Sequence, residues 1–139
     1  MSTSYPQVDF PEFPPVAVAL GTRVLSYAGA PVALTDAAVT LTSAQLLNGT
    51  LNAAAFTAGR VLTLPTAAAL VAALSGAIKG TSLTVTIICG SGGTATVAAG
   101  AGGSLIGNAV VLASASGQFR IRVTNVSSGT EAYQVQRLA

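Results

Sequence analysis

Side chains able to do chemistry are scarce in this chain and far apart. Its 139 residues contain no His, one Cys and four carboxylates: Asp9, Glu12, Asp36 and Glu131. Without His, the commonest general base and metal ligand is missing. Cys89 then has no imidazole to activate it, and it reads as a small buried apolar side chain. One Cys excludes a disulfide within the chain, and with no His it also excludes Cys/His zinc sites. The four acids are too scattered to nominate a carboxylate pair. The expectation is no catalytic residue, no metal site and no cofactor.

Two glycine clusters need testing. Gly90-Ser-Gly92-Gly-Thr-Ala95 matches the loose dinucleotide pattern G-x-G-x-x-A and follows a predicted strand. That site needs a helix N-terminus to meet the pyrophosphate. Here Thr94-Ala-Thr96-Val97 continues as strand, and the next acid after Asp36 is Glu131. Gly100, Gly102, Gly103 and Gly107 form no P-loop, because no Gly-Lys-Ser/Thr follows. Both clusters read as tight turns between strands, or as backbone brought close to a symmetry-related copy. Asn48-Gly-Thr50 and Asn125-Val-Ser127 fit the glycosylation pattern but read as turn chemistry. Arg120 and Arg122 share one strand face and could meet an acidic partner surface, although such a pair is more often a solvated face.

Composition narrows the classes further. Charged residues make up 7% of the chain, against about 25% in ordinary domains. Apolar residues make up 51%, and 27 residues are Ala. The net charge of +2 is carried by scattered Lys and Arg, so no nucleic-acid patch is expected. High apolar content with little net charge argues against intrinsic disorder. Met1-Ser-Thr-Ser-Tyr-Pro has no basic region and no apolar run, so no signal peptide is expected. The most apolar run, Ala67 to Leu74, falls short of the roughly 20 residues a spanning helix needs, so no membrane role is expected.

Residues 1–20 form an extended arm distinct from a single domain over 21–139. Four of the six prolines lie in it, Pro6, Pro11, Pro14 and Pro15, together with Tyr5, Phe10 and Phe13. Proline fixes φ and removes backbone donors, which favours a polyproline-like segment that does not fold on itself. Tyr5, Phe10, Phe13, Pro14 and Pro15 are the candidate partner-binding residues, with Phe10 and Phe13 as anchors.

Within 21–139, short strands are expected at Val24–Tyr27, Ala38–Leu41, Arg60–Leu64, Leu83–Ile87, Thr94–Val97, Phe119–Asn125 and Glu131–Leu138, and Ala109–Leu112 reads as a buried run. The period-2 pattern of Phe119-Arg-Ile-Arg-Val123 turns Phe119, Ile121 and Val123 inward and Arg120 and Arg122 outward. Thr42 or Ser43 starts one helical turn that Asn48-Gly49 stops. Thr66 caps a helix over Ala67–Leu74, with Leu70, Val71, Leu74 and Ile78 on one face and Gly76 as terminator. These signals describe an all-β fold: an antiparallel β-sandwich or jelly-roll-like domain with one short helix and the extended N-terminal arm.

The stretch from Leu41 to Leu138 resembles a family of small viral structural proteins found among tailed phages and some large DNA viruses. The resemblance rests on Leu41-Thr-Ser-Ala-Gln-Leu-Leu-Asn-Gly and Leu62-Thr-Leu-Pro-Thr-Ala-Ala-Ala-Leu-Val-Ala-Ala-Leu. Ser82-Leu-Thr-Val-Thr-Ile-Ile and Phe119-Arg-Ile-Arg-Val-Thr-Asn-Val-Ser-Ser-Gly-Thr-Glu-Ala-Tyr follow in the same order. It implies a capsid decoration (cement) or spike-like module, commonly trimeric and without enzymatic activity. The expected partners are a major capsid protein and further copies of the chain, and the expected location is the outer surface of a virion capsid. The alternative is a receptor-binding or fibre-tip module that recognises host surface glycan.

Overall fold

Leu41 and Leu64 each directly follow a short strand, and each is soon followed by a threonine that starts a helix. Thr42 caps α1 (Ser43–Asn48) with a capping box. Its hydroxyl accepts from Gln45 N at 3.2 Å, and Gln45 Oε1 accepts from Thr42 N at 2.8 Å. Gly49, at φ +93°, supplies the left-handed residue that ends this helix. Thr66 caps α2 (Ala67–Ala73) by accepting from Ala69 N at 3.1 Å. Leu46 of α1 and Leu70 of α2 are buried, which fixes both helices on the core. Leu74 is half-buried, whereas Ile78 stands 68% exposed because the helix ends before it.

The computed structural model describes residues 29–139. The arm over 1–20 and the strand expected at Val24–Tyr27 lie outside the described residues. Ten strands follow in chain order: β1 (Val32–Ala33), β2 (Val39–Thr40), β3 (Thr50–Ala53), β4 (Arg60–Thr63), β5 (Ser82–Cys89), β6 (Ala95–Ala98), β7 (Gly103–Ile106), β8 (Val110–Val111), β9 (Ser116–Asn125) and β10 (Ala132–Arg137). They form a six-stranded sheet, β1-β3-β5-β9-β10-β7, and a four-stranded sheet, β2-β4-β6-β8. The fold is therefore mostly β with two short helices, one more than expected.

Through β6 the chain alternates between the two sheets. Each strand pairs parallel with the next one in its own sheet, β1 with β3 with β5 and β2 with β4 with β6. Register stacks like on like: Val32, Leu51 and Ile87 align in one sheet, and Val39, Leu62 and Val97 in the other. The chain thus winds three successive turns around one apolar core. The last strands close the six-stranded sheet differently, with β9 antiparallel to β5 and β10, and β7 parallel to β10.

The expectation of an antiparallel fold is corrected here, because five of the eight pairings are parallel. A chain that crosses to the other sheet and back re-enters the first in its original direction, whereas a hairpin reverses it. Apolar–polar alternation records which face is buried, not strand direction.

The first glycine cluster, and Gly100 of the second, lie where one turn of the chain presses on the turn before it, whereas Gly103 and Gly107 face Tyr133 and Arg137 of β10. A Cβ on Gly90 would stand 2.8 Å from the Ala54 carbonyl oxygen, and one on Gly92 would stand 2.6 Å from that of Phe56. Side chains at Gly93 and Gly100 would collide with the carbonyls of Ala58 and of Leu64 and Pro65. The close approach is thus to the chain's own backbone. Gly93→Ala is expected to destabilise the protein by about 1–3 kcal/mol, seen as a lower urea midpoint with an unchanged slope.

Candidate functional site

Cys89 ends β5 with its thiol turned into the core, donating weakly to the Val111 carbonyl at 3.7 Å. Burial pushes the thiol pKa up, which suppresses the thiolate a nucleophile needs. Gly90–Ala95 opens no helix: it is the turn between β5 and β6, seated on residues 54–58. Among the described residues, no three His, Cys, Asp or Glu gather into a metal-ligating group. No helix there is long and apolar enough to cross a membrane.

The polar side chains that converge do so to tie segments together. Asp36 Oδ1 accepts from Thr57 N at 3.0 Å and from Arg60 Nε at 2.8 Å, while Oδ2 accepts from the Thr57 hydroxyl at 2.6 Å. The Arg60 guanidinium and the Thr57 donors hold the Asp36 carboxyl well below the usual carboxylate range. This clamp joins the segment between β1 and β2 to the entry of β4.

Tyr133 of β10 is the buried counterpart. Its hydroxyl accepts from Gly100 N at 2.8 Å and donates to the Pro65 carbonyl at 2.8 Å. Pro65 follows β4 and Gly100 follows β6, so one side chain links the last strand to two earlier turns. The ring lies against Gly103, where a side chain would collide with it. Burial raises the phenol pKa and keeps it neutral.

Sequence reasoning missed Arg137. Its guanidinium carbon lies 5.1 Å from the centroid of the Phe119 ring. Its Nη1 donates to the carbonyls of Asn108 at 3.1 Å and Val110 at 2.8 Å, and its Nε donates to the Ala139 carbonyl. A cation thus closes one end of the core. The available signal was its inward phase, shared with Tyr133 and Val135, which places a charge where period 2 calls for an apolar residue.

Arg120 and Arg122 stand where the alternation places them, on the outward face of the six-stranded sheet, with Phe119, Ile121 and Val123 buried behind them. Register sets Arg120 between Thr84 and Gln136, and Arg122 between Ser82 and Gln134. Thr86 and Gln118 form a further outward row. The positions next to the two cations are thus hydroxyls and amides, and exposed Ile88 and Ile106 lie farther out on the same face. Among the described residues the sole ion pair is Asp36–Arg60, so neither cation on this face has a carboxylate partner there. The sequon side chains Asn48 and Asn125 are both engaged: Asn48 Oδ1 accepts from Thr50 N and its Nδ2 donates to the Ala30 carbonyl 18 residues away, and Asn125 Oδ1 accepts from Ser127 N. The candidate anchors Tyr5, Phe10, Phe13, Pro14 and Pro15 lie outside the described residues.

Comparison of the chain with family models, curated proteins and solved structures gives no match.

Tyr133→Phe is expected to cost about 1–3 kcal/mol, because it leaves the Gly100 N–H without its partner. Chemical denaturation of the variant beside the parent measures this. Asp36 gives a pH signature. Its folded pKa lies below the ordinary 3.8, so its contribution is complete above that value and lost as pH falls through the folded one. Asp36→Asn is therefore expected to be less stable near neutral pH and to show a shallower loss on acidification, read from thermal midpoints across that range.

Proposed function

We propose that this chain is a virion structural protein, a head decoration or cement protein. In this reading it oligomerises on the outer surface of a capsid, and residues 1–20 run across neighbouring major capsid subunits and staple them. Its work is contact area; it is not an enzyme. The two sheets are read as the layers of a β-sandwich, and the oligomer as a trimer.

One observation carries the reading most. The outward face of the six-stranded sheet presents Ser82, Thr84, Thr86, Gln118, Gln134 and Gln136 in rows, with Arg120 and Arg122 as the cations among them. Such a face can be covered with little charge desolvation, while its amides and hydroxyls supply hydrogen bonds to a partner. The resemblance of Leu41 to Leu138 to small viral structural proteins points the same way. The glycan-binding alternative is weaker, because Phe56, Phe119 and Tyr133 are all buried. The described surface therefore offers no aromatic platform for a sugar ring.

The test is deletion of residues 2–20, with binding to empty capsids as the readout. The truncated protein is expected to lose at least tenfold in affinity, because the aromatic anchors go with the arm. Binding at the full-length affinity would remove the stapling mechanism.

A further inference from the structure

The charges of this chain can be accounted for one by one. Among the described acids, Asp36 is engaged by Arg60 and Thr57, and Glu131 accepts from the Gly129 N–H at 3.0 Å. Among the described cations, Arg60 is paired, Arg137 is bound to carbonyls at the end of the core, and Lys79 stands alone in the exposed turn before β5; Arg23 lies outside the described residues. Arg120 and Arg122 project from adjacent outward positions of β9 with no carboxylate partner among the described residues. The two remaining acids of the sequence, Asp9 and Glu12, are both in the N-terminal arm.

We propose that the Asp9–Glu12 segment of this chain docks across the outward face of the six-stranded sheet, its two carboxylates meeting Arg120 and Arg122. Spacing supports the match. Arg120 and Arg122 are two residues apart on a strand, about 7 Å. Asp9 and Glu12 are three residues apart, one polyproline turn or about 9 Å, and the long arginine side chains absorb the difference. In a polyproline segment residues three apart share an edge, so Phe10 and Phe13 would share one edge and the acids another. A segment lying on the sheet by its acids therefore still offers its aromatics elsewhere.

Reach is not limiting. The described residues begin at Gly29, beside the edge strand β1, and β9 is the third strand beyond β1 in that sheet. That separation is about 14 Å, whereas the residues between Glu12 and Gly29 can span up to about 55 Å. The Ser, Thr and Gln side chains beside the arginines can bond the open backbone of a proline-rich segment.

The proposal concerns the protein free of capsid, in which the arm covers the face that the capsid reading gives to a partner, and its test contains no capsid. Full-length protein is digested at low salt with a glutamate-specific protease, and cleavage after Glu12 is timed against cleavage after Glu131. The pair Arg120→Gln with Arg122→Gln is expected to speed cleavage after Glu12 about fivefold and to leave Glu131 unchanged. Arg120→Lys with Arg122→Lys keeps the charge and is expected to keep most of the protection. In the unmodified protein, added NaCl is expected to expose Glu12 in the same way. Protection that falls on dilution assigns the docked arm to a second copy, and protection independent of concentration assigns it to the same chain; both support docking. Equal rates after Glu12 in the parent and the glutamine variant, or no response of the parent to salt, would overturn it.

Discussion

Each turn of this chain lies directly against the one before it, and the rest of the structure depends on that closeness. Parallel stacking brings Val32, Leu51 and Ile87 into one column and Val39, Leu62 and Val97 into another. The turns between strands must then stack as tightly as the strands do. At Gly93 and Gly100 the previous turn's carbonyls occupy the space a side chain would need. The glycines of these turns are a consequence: without a side chain they allow backbone to lie on backbone. Tyr133 fastens the stack from the far end of the sequence, with one hydroxyl bonded to two turns.

This constraint explains what the composition does and does not provide. A stack of short strands around a slim core has few positions for long charged side chains, and the chain uses its charges singly. Asp36 and Arg60 bind two connecting segments. Arg137 seals the end of the core against the Phe119 ring. Arg120 and Arg122 are left on an otherwise uncharged face, in the setting where two charges can specify a partner without dominating the area. The few reactive groups serve structure instead: the Cys89 thiol is buried, and the Tyr133 hydroxyl is spent on backbone groups.

Much of this was legible in the sequence where information is local. The alternation from Phe119 to Val123 gave both faces of β9 correctly, and the pair Thr42-Ser43 and Thr66 marked the two helix starts. The strands β1, β3 and β7 escaped notice because Val32–Ala33, Thr50–Ala53 and Gly103–Ile106 are short and rich in small residues, with weak periodicity. Strand direction escaped because it is set by which sheet the chain visits next. A usable signal did exist: Val39-Thr-Leu-Thr42 and Leu62-Thr-Leu-Pro-Thr66 repeat one strand-to-cap order, as stacked turns do. The contacts of Asp36 with Arg60 and of Tyr133 with Pro65 join residues 24 and 68 positions apart, beyond the reach of any local pattern. The arm's aromatic anchors remain a reading of the sequence alone.

Native-state hydrogen exchange tests the stacked account most directly. The Leu64 amide donates to the Ala98 carbonyl and the Arg60 amide to the Thr94 carbonyl, which report contact between successive turns, and the Gly100 amide donates to Tyr133, which reports the fastening of the stack by the last strand. If stacking holds the fold together, these amides exchange in the slowest class, together with those of β9, through global unfolding. Fast, independent exchange at Gly100, Leu64 and Arg60 while β9 stays protected would show that the turns are not locked to one another and would contradict the account.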